Sequence, residues 1–137
     1  MTKKSMQVEV SIDRGLNLAV IRITGNLLLG EVTRHAMAFV ERPDVVPGMP
    51  AIFDLREADF SSFGATDSRS LAEVNRRLAT RRGSARVAFL VQSDLGYGVL
   101  RMHEVLGQSP NLQVRVFRDL MEAQHWVLGP FAPDEDD

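Results

Sequence analysis

The spacing of apolar residues changes along the chain from a period of two to a period near 3.6, and this change most limits the folds open to it. Residues 7–12 alternate between polar and apolar side chains, as in a strand with one buried face. Turn residues follow at 13–15, and a second β-branched run then extends from Leu18 to Ile23 and ends at residues 24–26. Two strands joined by so short a turn predict an antiparallel hairpin.

Helical spacing follows the hairpin, and four helices then alternate with three further strands. The first helical stripe comprises Leu29, Val32, Ala36, Phe39 and Val40. Short apolar runs predict strands at residues 51–53, 87–91 and 114–117. The remaining helices are predicted around Leu71–Leu78, Gly96–Leu106 and Leu120–Val127.

Polar residues mark where two of these helices begin. Ser70 and Glu73 have the spacing of a capping box in the second helix, although Thr66 or Asp67 fits the cap equally well. Asp119 and Glu122 have the same spacing ahead of the last helix.

The order ββαβαβαβα predicts an α/β domain with a single mixed sheet of about five strands and four helices. The N-terminal hairpin is antiparallel, whereas the later strands are joined through helices and are expected to run parallel. At 137 residues the chain has room for one such domain. We assign residues 7–129 to it, residues 1–6 to a flexible N-terminus and residues 130–137 to an acidic disordered tail.

Composition excludes several classes of function. The chain has no cysteine, which excludes disulfides, thiolate metal sites and a cysteine nucleophile. Its net charge of −2 provides no general attraction to nucleic acid or to an anionic membrane, so we expect neither as a partner. No apolar run is long enough to span a bilayer. Residues 1–6 lead into Gln7 and Glu9 rather than an apolar segment, so we predict no secretory signal and a cytoplasmic location.

The sequence lacks the common catalytic and metal-binding motifs. It contains no G-x-G-x-x-G, Walker A, G-x-S-x-G or paired-histidine helix motif. His35, His103 and His125 lie on three different predicted helices without metal-ligand spacing. We expect each to be an ordinary helix residue, with His103 at the edge of the core, and we predict no metal and no cofactor.

Ligands of open α/β sheets bind at the carboxyl ends of the parallel strands. Three segments follow such ends here, namely Asp54 with the loop 59–64, residues 92–97, and residues 118–119. Asp54, Asp59 and Asp94 would have to converge at this edge if the chain were an enzyme. One sequence does not show that they converge, so an enzyme that uses Asp54 or Asp94 is the least favoured alternative.

Ser61 and Ser62 precede the second helix. Their hydroxyls could bind or carry a phosphate there, because backbone N–H groups and the helix dipole favour negative charge at a helix N-terminus. Serines also gather at helix starts because they cap them, and this simpler interpretation is the favoured one.

The second helix and the residues after it are basic. Six arginines against two acidic residues leave a net charge of +4 across residues 67–86. Such a face can bind an acidic partner protein, a lipid headgroup or nucleic acid, but a solvated helix face is the favoured interpretation. The candidate partner surface consists of Arg69, Arg76, Arg77, Arg81 and Arg82.

Taken with the strand ending at Asp54-Leu55-Arg56, the whole pattern resembles the SpoIIAA-like branch of the STAS superfamily over roughly residues 7–128. Its most specific part runs from Tyr97-Gly98 through Arg101-Met102 to Trp126. The resemblance implies a small bacterial protein related in fold to anti-sigma-factor antagonists and, more loosely, to CRAL-TRIO-type lipid-binding domains.

The resemblance also implies two ways of working. In STAS antagonists a serine in an Asp-Ser-Ser-Gly-like setting is a phosphorylation switch, and Ser61 and Ser62 occupy the matching place. This sequence departs from that setting, because Phe60 precedes Ser61 and Phe63 separates Ser62 from Gly64, which weakens the implication. The lipid-binding relatives imply instead an apolar pocket between helices and sheet. Its candidate residues are Asp54, Phe60, Phe63, Asp94, Tyr97 and Met102.

Our leading hypothesis is a non-catalytic STAS-like regulatory module that binds a protein partner through the Ser61–Ser62 loop and the second helix. It predicts a flat, basic surface and no deep cavity. The alternative is a small carrier or sensor of an apolar or lipid-like ligand, which predicts an apolar pocket of several hundred Å³. A homodimer through an exposed sheet edge at the hairpin is also expected.

Overall fold

The computed structural model describes residues 4–106 and 112–130, which form one sheet and four helices. The strands are β1 (Gln7–Asp13), β2 (Leu18–Asn26), β3 (Ala51–Asp54), β4 (Ala58–Asp59), β5 (Ala85–Leu90) and β6 (Leu112–Phe117). The helices are α1 (Leu29–Val40), α2 (Ala65–Arg82), α3 (Asp94–Leu106) and α4 (Leu120–Val127).

The sheet is mixed, as the sequence predicts. Its strands follow the order β1-β2-β3-β5-β6, with β1 and β2 antiparallel and each later pair parallel. The two-residue strand β4 was not predicted; it pairs in parallel with the end of β2 at Gly25 and Asn26. A strand of two residues is too short to show the alternation by which strands are recognised.

Helices cover both faces of the sheet, but unequally. Phe39 of α1, Leu71 of α2 and Leu100 of α3 belong to the larger core, together with the inward residues of the sheet. Only α4 lies on the opposite face, where Ala123 and Val127 pack against β3 and β5. The alternating exposure along β1 follows from this arrangement, because its apolar residues face the three-helix layer.

Neither capping interpretation of α2 is correct, because Gly64 is the cap residue and Thr66 and Asp67 lie within the first turn of the helix. Gly64 precedes α2, and the carboxylate of Asp67 accepts a hydrogen bond from its backbone N–H at 2.9 Å. The Ser70–Glu73 alternative is therefore wrong, since the Ser70 hydroxyl lies inside the helix and donates to the carbonyl of Thr66. For α4 the Asp119 part of the predicted capping box is confirmed, because Asp119 accepts hydrogen bonds from the N–H groups of Met121 and Glu122.

Some predicted features lie outside the described residues. These are the predicted end of α3 at Gly107 and Pro110, residues 1–3 and the acidic segment 131–137. Lys4 is described, and its carbonyl accepts a hydrogen bond from the N–H of Asn26 at 2.9 Å. Within residues 4–106 and 112–130, no helix combines the length and the apolar character needed to cross a membrane.

Candidate functional site

The Ser61–Ser62 loop is an exposed turn between β4 and α2. Both serines are exposed, and the N–H of Ser61 donates to Oδ1 of Asp59 at 2.9 Å. Gly64 occupies the capping position of α2, so Ser61 and Ser62 lie before the cap residue rather than at it. The hydroxyls stand just ahead of an 18-residue helix.

Phe60 and Phe63 flank the serines and anchor both ends of the loop in the core. They are 4% and 2% exposed, and the N–H of Phe63 donates to the carbonyl of Phe60 at 3.0 Å. The Phe60 ring lies so close to Gly96 that a Cβ there would come within 2.7 Å of it. The two departures from the Asp-Ser-Ser-Gly-like setting are therefore packing residues of the loop.

Asp54 and Asp94 are held by two different arginines. Asp54 forms an ion pair with Arg56 at 2.9 Å. Burial by itself would raise the pKa of Asp54, but hydrogen bonds from the side chain and backbone of Arg56 outweigh it and lower the pKa below its ordinary value. Asp94 is almost fully exposed and pairs with Arg118 at 2.8 Å. The lowered pKa keeps the Asp54 carboxylate ionised at neutral pH, so Asp54 does not resemble a general acid.

Tyr97 and Met102 are half-buried on α3. The guanidinium of Arg118 lies 4.6 Å from the centroid of the Tyr97 ring, so Arg118 links Tyr97 to Asp94. Tyr97, Arg118 and Asp94 thus form a small ring–cation–carboxylate cluster at the start of α3.

Four of the five arginines of the candidate partner surface are exposed, namely Arg69, Arg76, Arg77 and Arg81. Arg77 pairs with Glu73 at 3.1 Å, and Arg81 pairs with Glu41 at 3.4 Å. Arg82 does not lie with the others: its Nη2 atom is buried and its guanidinium lies 5.1 Å from the centroid of the Phe39 ring.

An apolar cavity of about 160 Å³ lies between the hairpin and the helices α1 and α2. β1 and β2 contribute one wall, through Val8, Val10, Ile21 and Ile23. The helices and the inner strands supply the other lining residues, which include Val32, Ala36, Phe39, Phe53, Phe63, Leu71 and Phe89.

The side chains of α1 and of the hairpin leave part of the space between these elements unfilled. The inward residues of α1 opposite β1 are short, with Val32 and Ala36 on the lining. Val8 and Val10 of β1 stay half-buried, and Ala38 of α1 is exposed, so the opening lies between these two elements.

Polar side chains occupy only a few positions around this space. Asn75 lines the cavity and its amide lies 3.1 Å from Nε2 of His103, which is fully buried. Burial lowers the pKa of His103 to about 4, although the Ser68 backbone opposes the shift. At neutral pH the imidazole is therefore uncharged. His103 lies inside the core and not at its edge.

A second, smaller cavity of about 20 Å³ adjoins the first and ends at Arg82. The two share four lining residues, Ala36, Phe39, Phe53 and Asn75. Burial lowers the pKa of Arg82 to about 10, and Nη2 has no hydrogen-bonding partner among the described residues.

Of the predicted pocket residues, only Phe63 lines the larger cavity. The pocket was predicted at the carboxyl ends of the strands, whereas the cavity lies under α1. A signal was present in α2, where Leu71, Asn75, Leu78 and Arg82 recur at helical spacing and therefore share one face. Asn75 and Arg82 are polar residues on the inward-facing stripe of α2, and polar residues at such positions indicate a cavity.

The comparisons with known proteins identify the fold. No family model and no curated protein matches the chain. Among solved structures, it is similar to an uncharacterized DUF3478-family protein with a SpoIIAA-like fold from Shewanella loihica PV-4, at 18% identity and a TM-score of 0.58, covering 93% of this chain and 98% of the other. It is also similar to an anti-sigma factor antagonist from Mycobacterium paratuberculosis, at 17% identity and a TM-score of 0.61, covering 90% and 94% of the two chains. The chain has a SpoIIAA-like, STAS-type fold, as its resemblance implied.

Proposed function

We propose that this SpoIIAA-like domain is a non-catalytic regulatory module that binds an apolar ligand between its hairpin and α1. The observation that carries the proposal is the apolar cavity of about 160 Å³ with an opening beside β1. Protein cores are ordinarily close-packed, and an apolar cavity left empty forfeits packing contacts for the residues that line it. A ligand that fills the cavity restores the missing contacts.

The size and chemistry of the lining indicate the kind of ligand. An engineered apolar cavity of roughly 150 Å³ is large enough for benzene, so this one accommodates a compact apolar group or the end of an alkyl chain. The cavity is smaller than the several hundred Å³ expected for a lipid carrier, but its open side allows a longer molecule to extend outward.

The proposal is tested by native mass spectrometry of the protein purified from its own source organism. We expect a co-purifying small molecule that dissociates on activation in the gas phase. The Ala36→Leu variant should lose this molecule, because the larger side chain would fill the cavity. The exposed substitution Ala65→Leu on α2 is the matched control and should retain the molecule. A ligand-free mass, together with no binding of added 1-octanol, would overturn the proposal.

A second candidate function is the binding of a protein partner through the Ser61–Ser62 loop and α2. Two observations support it: the serines are exposed directly ahead of α2, and Arg69 and Arg76 are exposed on that helix. An anti-sigma factor antagonist, which is a regulatory protein, has a similar structure. A phosphate on Ser61 or Ser62 would add a charge of about −1.5 to −2 beside this basic helix and change what it binds.

The same mass measurement tests the second candidate. A mass excess of one phosphate, lost in the Ser61→Ala/Ser62→Ala variant, supports a phosphorylation switch. A partner captured by the wild type should be lost on Arg69→Glu and retained on Arg115→Glu, which makes the same charge change on β6. Equal loss in both variants would assign the effect to net charge and contradict a specific α2 surface. A cytoplasmic location and a homodimer through β1, an edge strand, remain parts of the proposal, and the intact mass reports the oligomeric state.

A further inference from the structure

The backbone fixes the position of Arg82. It is the last residue of α2, and its carbonyl accepts a hydrogen bond from the N–H of Gly48 at 2.6 Å. Gly83 follows with a φ of +72°, and a Cβ there would lie 2.8 Å from the nitrogen of Gly48. This close approach of two chain segments holds the end of α2 in one place, because only glycine tolerates both the conformation and the contact.

The side chain of Arg82 runs back along α2 into the small cavity. Side chains in a helix point toward its N-terminus, which brings Arg82 to the level of Leu78 and Asn75, two other residues of that cavity. The guanidinium lies against the Phe39 ring, with Leu112 and Val114 of β6 also on the lining.

No anion compensates this cation within residues 4–106 and 112–130. Nη2 is buried without a hydrogen-bonding partner, and no carboxylate contributes to the shift in the pKa of Arg82, which desolvation alone causes. With a pKa of about 10, the guanidinium still carries its charge at neutral pH. Arg82 as a whole is half-buried, so it is the Nη2 side of the cation that is buried without a partner, and buried cationic groups are ordinarily paired.

The other arginine near the cavity is in a different state. Arg42 lines the larger cavity, but its guanidinium forms two hydrogen bonds to the carboxylate of Asp44 at 2.8 and 2.9 Å. Its charge is therefore already neutralised within the protein. Arg82 is the cation at this site that lacks an anionic partner among the described residues.

The two cavities together suit a molecule with two chemically different ends. The larger one is lined mostly by apolar side chains, and the smaller one has room for a single small polar group beside Arg82. Phe39 and Phe53 line both cavities. A single molecule could therefore pass these two rings, with its apolar tail in the larger cavity and its head group in the smaller one.

We infer that the ligand of this cavity is an amphiphile with one anionic head group, in the class of medium-chain carboxylates, and that Arg82 binds the head group. The inference rests on the proposed ligand-binding function and adds the charge and the orientation of the ligand. A carboxylate can accept two parallel hydrogen bonds from a guanidinium. It would therefore supply the acceptor that Nη2 of Arg82 lacks.

Titration calorimetry with the ligand-free, full-length protein tests the inference. Sodium octanoate and 1-octanol have the same tail length and differ in the charge of the head group. We expect octanoate to bind at least tenfold more tightly than 1-octanol. In the Arg82→Met variant the two probes should bind with about equal affinity, while the affinity for 1-octanol stays unchanged. Arg82→Lys, which keeps a charge but loses the paired donors, should retain part of the preference.

Two further variants locate the effect. Arg81→Met changes an exposed neighbour on α2 and should leave the octanoate preference intact. Arg42→Met tests the paired arginine of the cavity lining as the competing anchor for the head group, and the assignment to Arg82 predicts that the preference persists in it. Equal affinities for octanoate and 1-octanol in the wild type would overturn the inference while leaving the proposed function standing. A preference that survives Arg82→Met, or disappears in Arg42→Met, would place the anion elsewhere and overturn the assignment to Arg82. Absence of binding for both probes would overturn the proposed function itself.

Discussion

The guanidinium of Arg82 lies 5.1 Å from the centroid of the Phe39 ring, so the last residue of α2 contacts the inward side of α1. A cation over an aromatic face is stabilised by about 0.5–2 kcal/mol, which offsets only part of the cost of burying an unpaired donor. The ligand-free protein is therefore less stable than it would be with an apolar side chain at position 82.

Replacing Arg82 by methionine should stabilise the ligand-free protein. Methionine keeps an unbranched apolar chain but removes the unsatisfied donor, so we expect the free energy of unfolding to rise by about 1 kcal/mol. Urea denaturation followed by circular dichroism measures the change. The exposed Arg81→Met substitution is the control and should stay within about 0.5 kcal/mol of the wild type. A clear loss of stability in Arg82→Met would show that the guanidinium stabilises the free protein, contrary to this prediction.

His103 should make stability depend on pH below neutrality. Its folded-state pKa of about 4 lies below the ordinary value of 6.5, so the folded protein binds the proton less readily than the unfolded chain. The contribution of His103 to the free energy of unfolding is therefore fully present above pH 6.5. It is lost as the pH drops from 6.5 to 4, and the total loss is about 3 kcal/mol. Urea denaturation at a series of pH values measures this slope.

The variants His103→Gln and His125→Gln separate this effect from general acid destabilisation. The first should abolish most of the slope between pH 6.5 and 4, and the second, at an exposed position on α4, should preserve it. Asp44 and Asp54 have pKa values below the ordinary 3.8, so their contributions are lost mainly as the pH falls from about 3.8 downward. A slope unchanged in His103→Gln would rule out His103 as its source.

Two glycines of α3 should respond in opposite directions to the same substitution. A Cβ on Gly96 would lie 2.7 Å from the buried Phe60 ring, whereas a Cβ on Gly98 would have no neighbour within 4 Å. We expect Gly96→Ala to destabilise the protein by about 1–2 kcal/mol through overpacking. Gly98→Ala should stabilise it by about 0.5–1 kcal/mol, because alanine favours the helix. Thermal unfolding of the two variants checks this, and equal effects would contradict the contact between Phe60 and α3.

The sequence was sufficient for the fold because strand and helix periods are visible in it. The alternation of Val8, Val10 and Ile12 and the stripe from Leu29 to Val40 correspond to β1 and α1. The cavity could not be predicted in this way, because it depends on the distance between those two elements and not on either pattern alone. Periodicity identifies which residues face inward, but it does not show whether they touch.

Arg82 shows how residue type can mislead where spacing does not. Its charge groups it with Arg76, Arg77 and Arg81, and on that ground all of them were predicted to form one exposed surface. Its spacing from Leu71 places it instead on the inward stripe of α2, where the structure has it. Arginine side chains are rarely buried without an anionic partner. For that reason the charge of Arg82 predicts an exposed position even though its spacing predicts an inward one.

Filling the cavity should stabilise the protein while removing ligand binding. Ala36 lines both cavities, and leucine there adds apolar atoms to empty space without lowering helix propensity much. We expect Ala36→Leu to raise the free energy of unfolding of the ligand-free protein by about 1 kcal/mol, since each buried methylene contributes about 0.8 kcal/mol. The same substitution at exposed Ala65 should change stability by less than about 0.5 kcal/mol. Urea denaturation distinguishes the outcomes: destabilisation of Ala36→Leu by about 1–3 kcal/mol would indicate a site that is already close-packed, and the cavity under α1 would then hold no ligand.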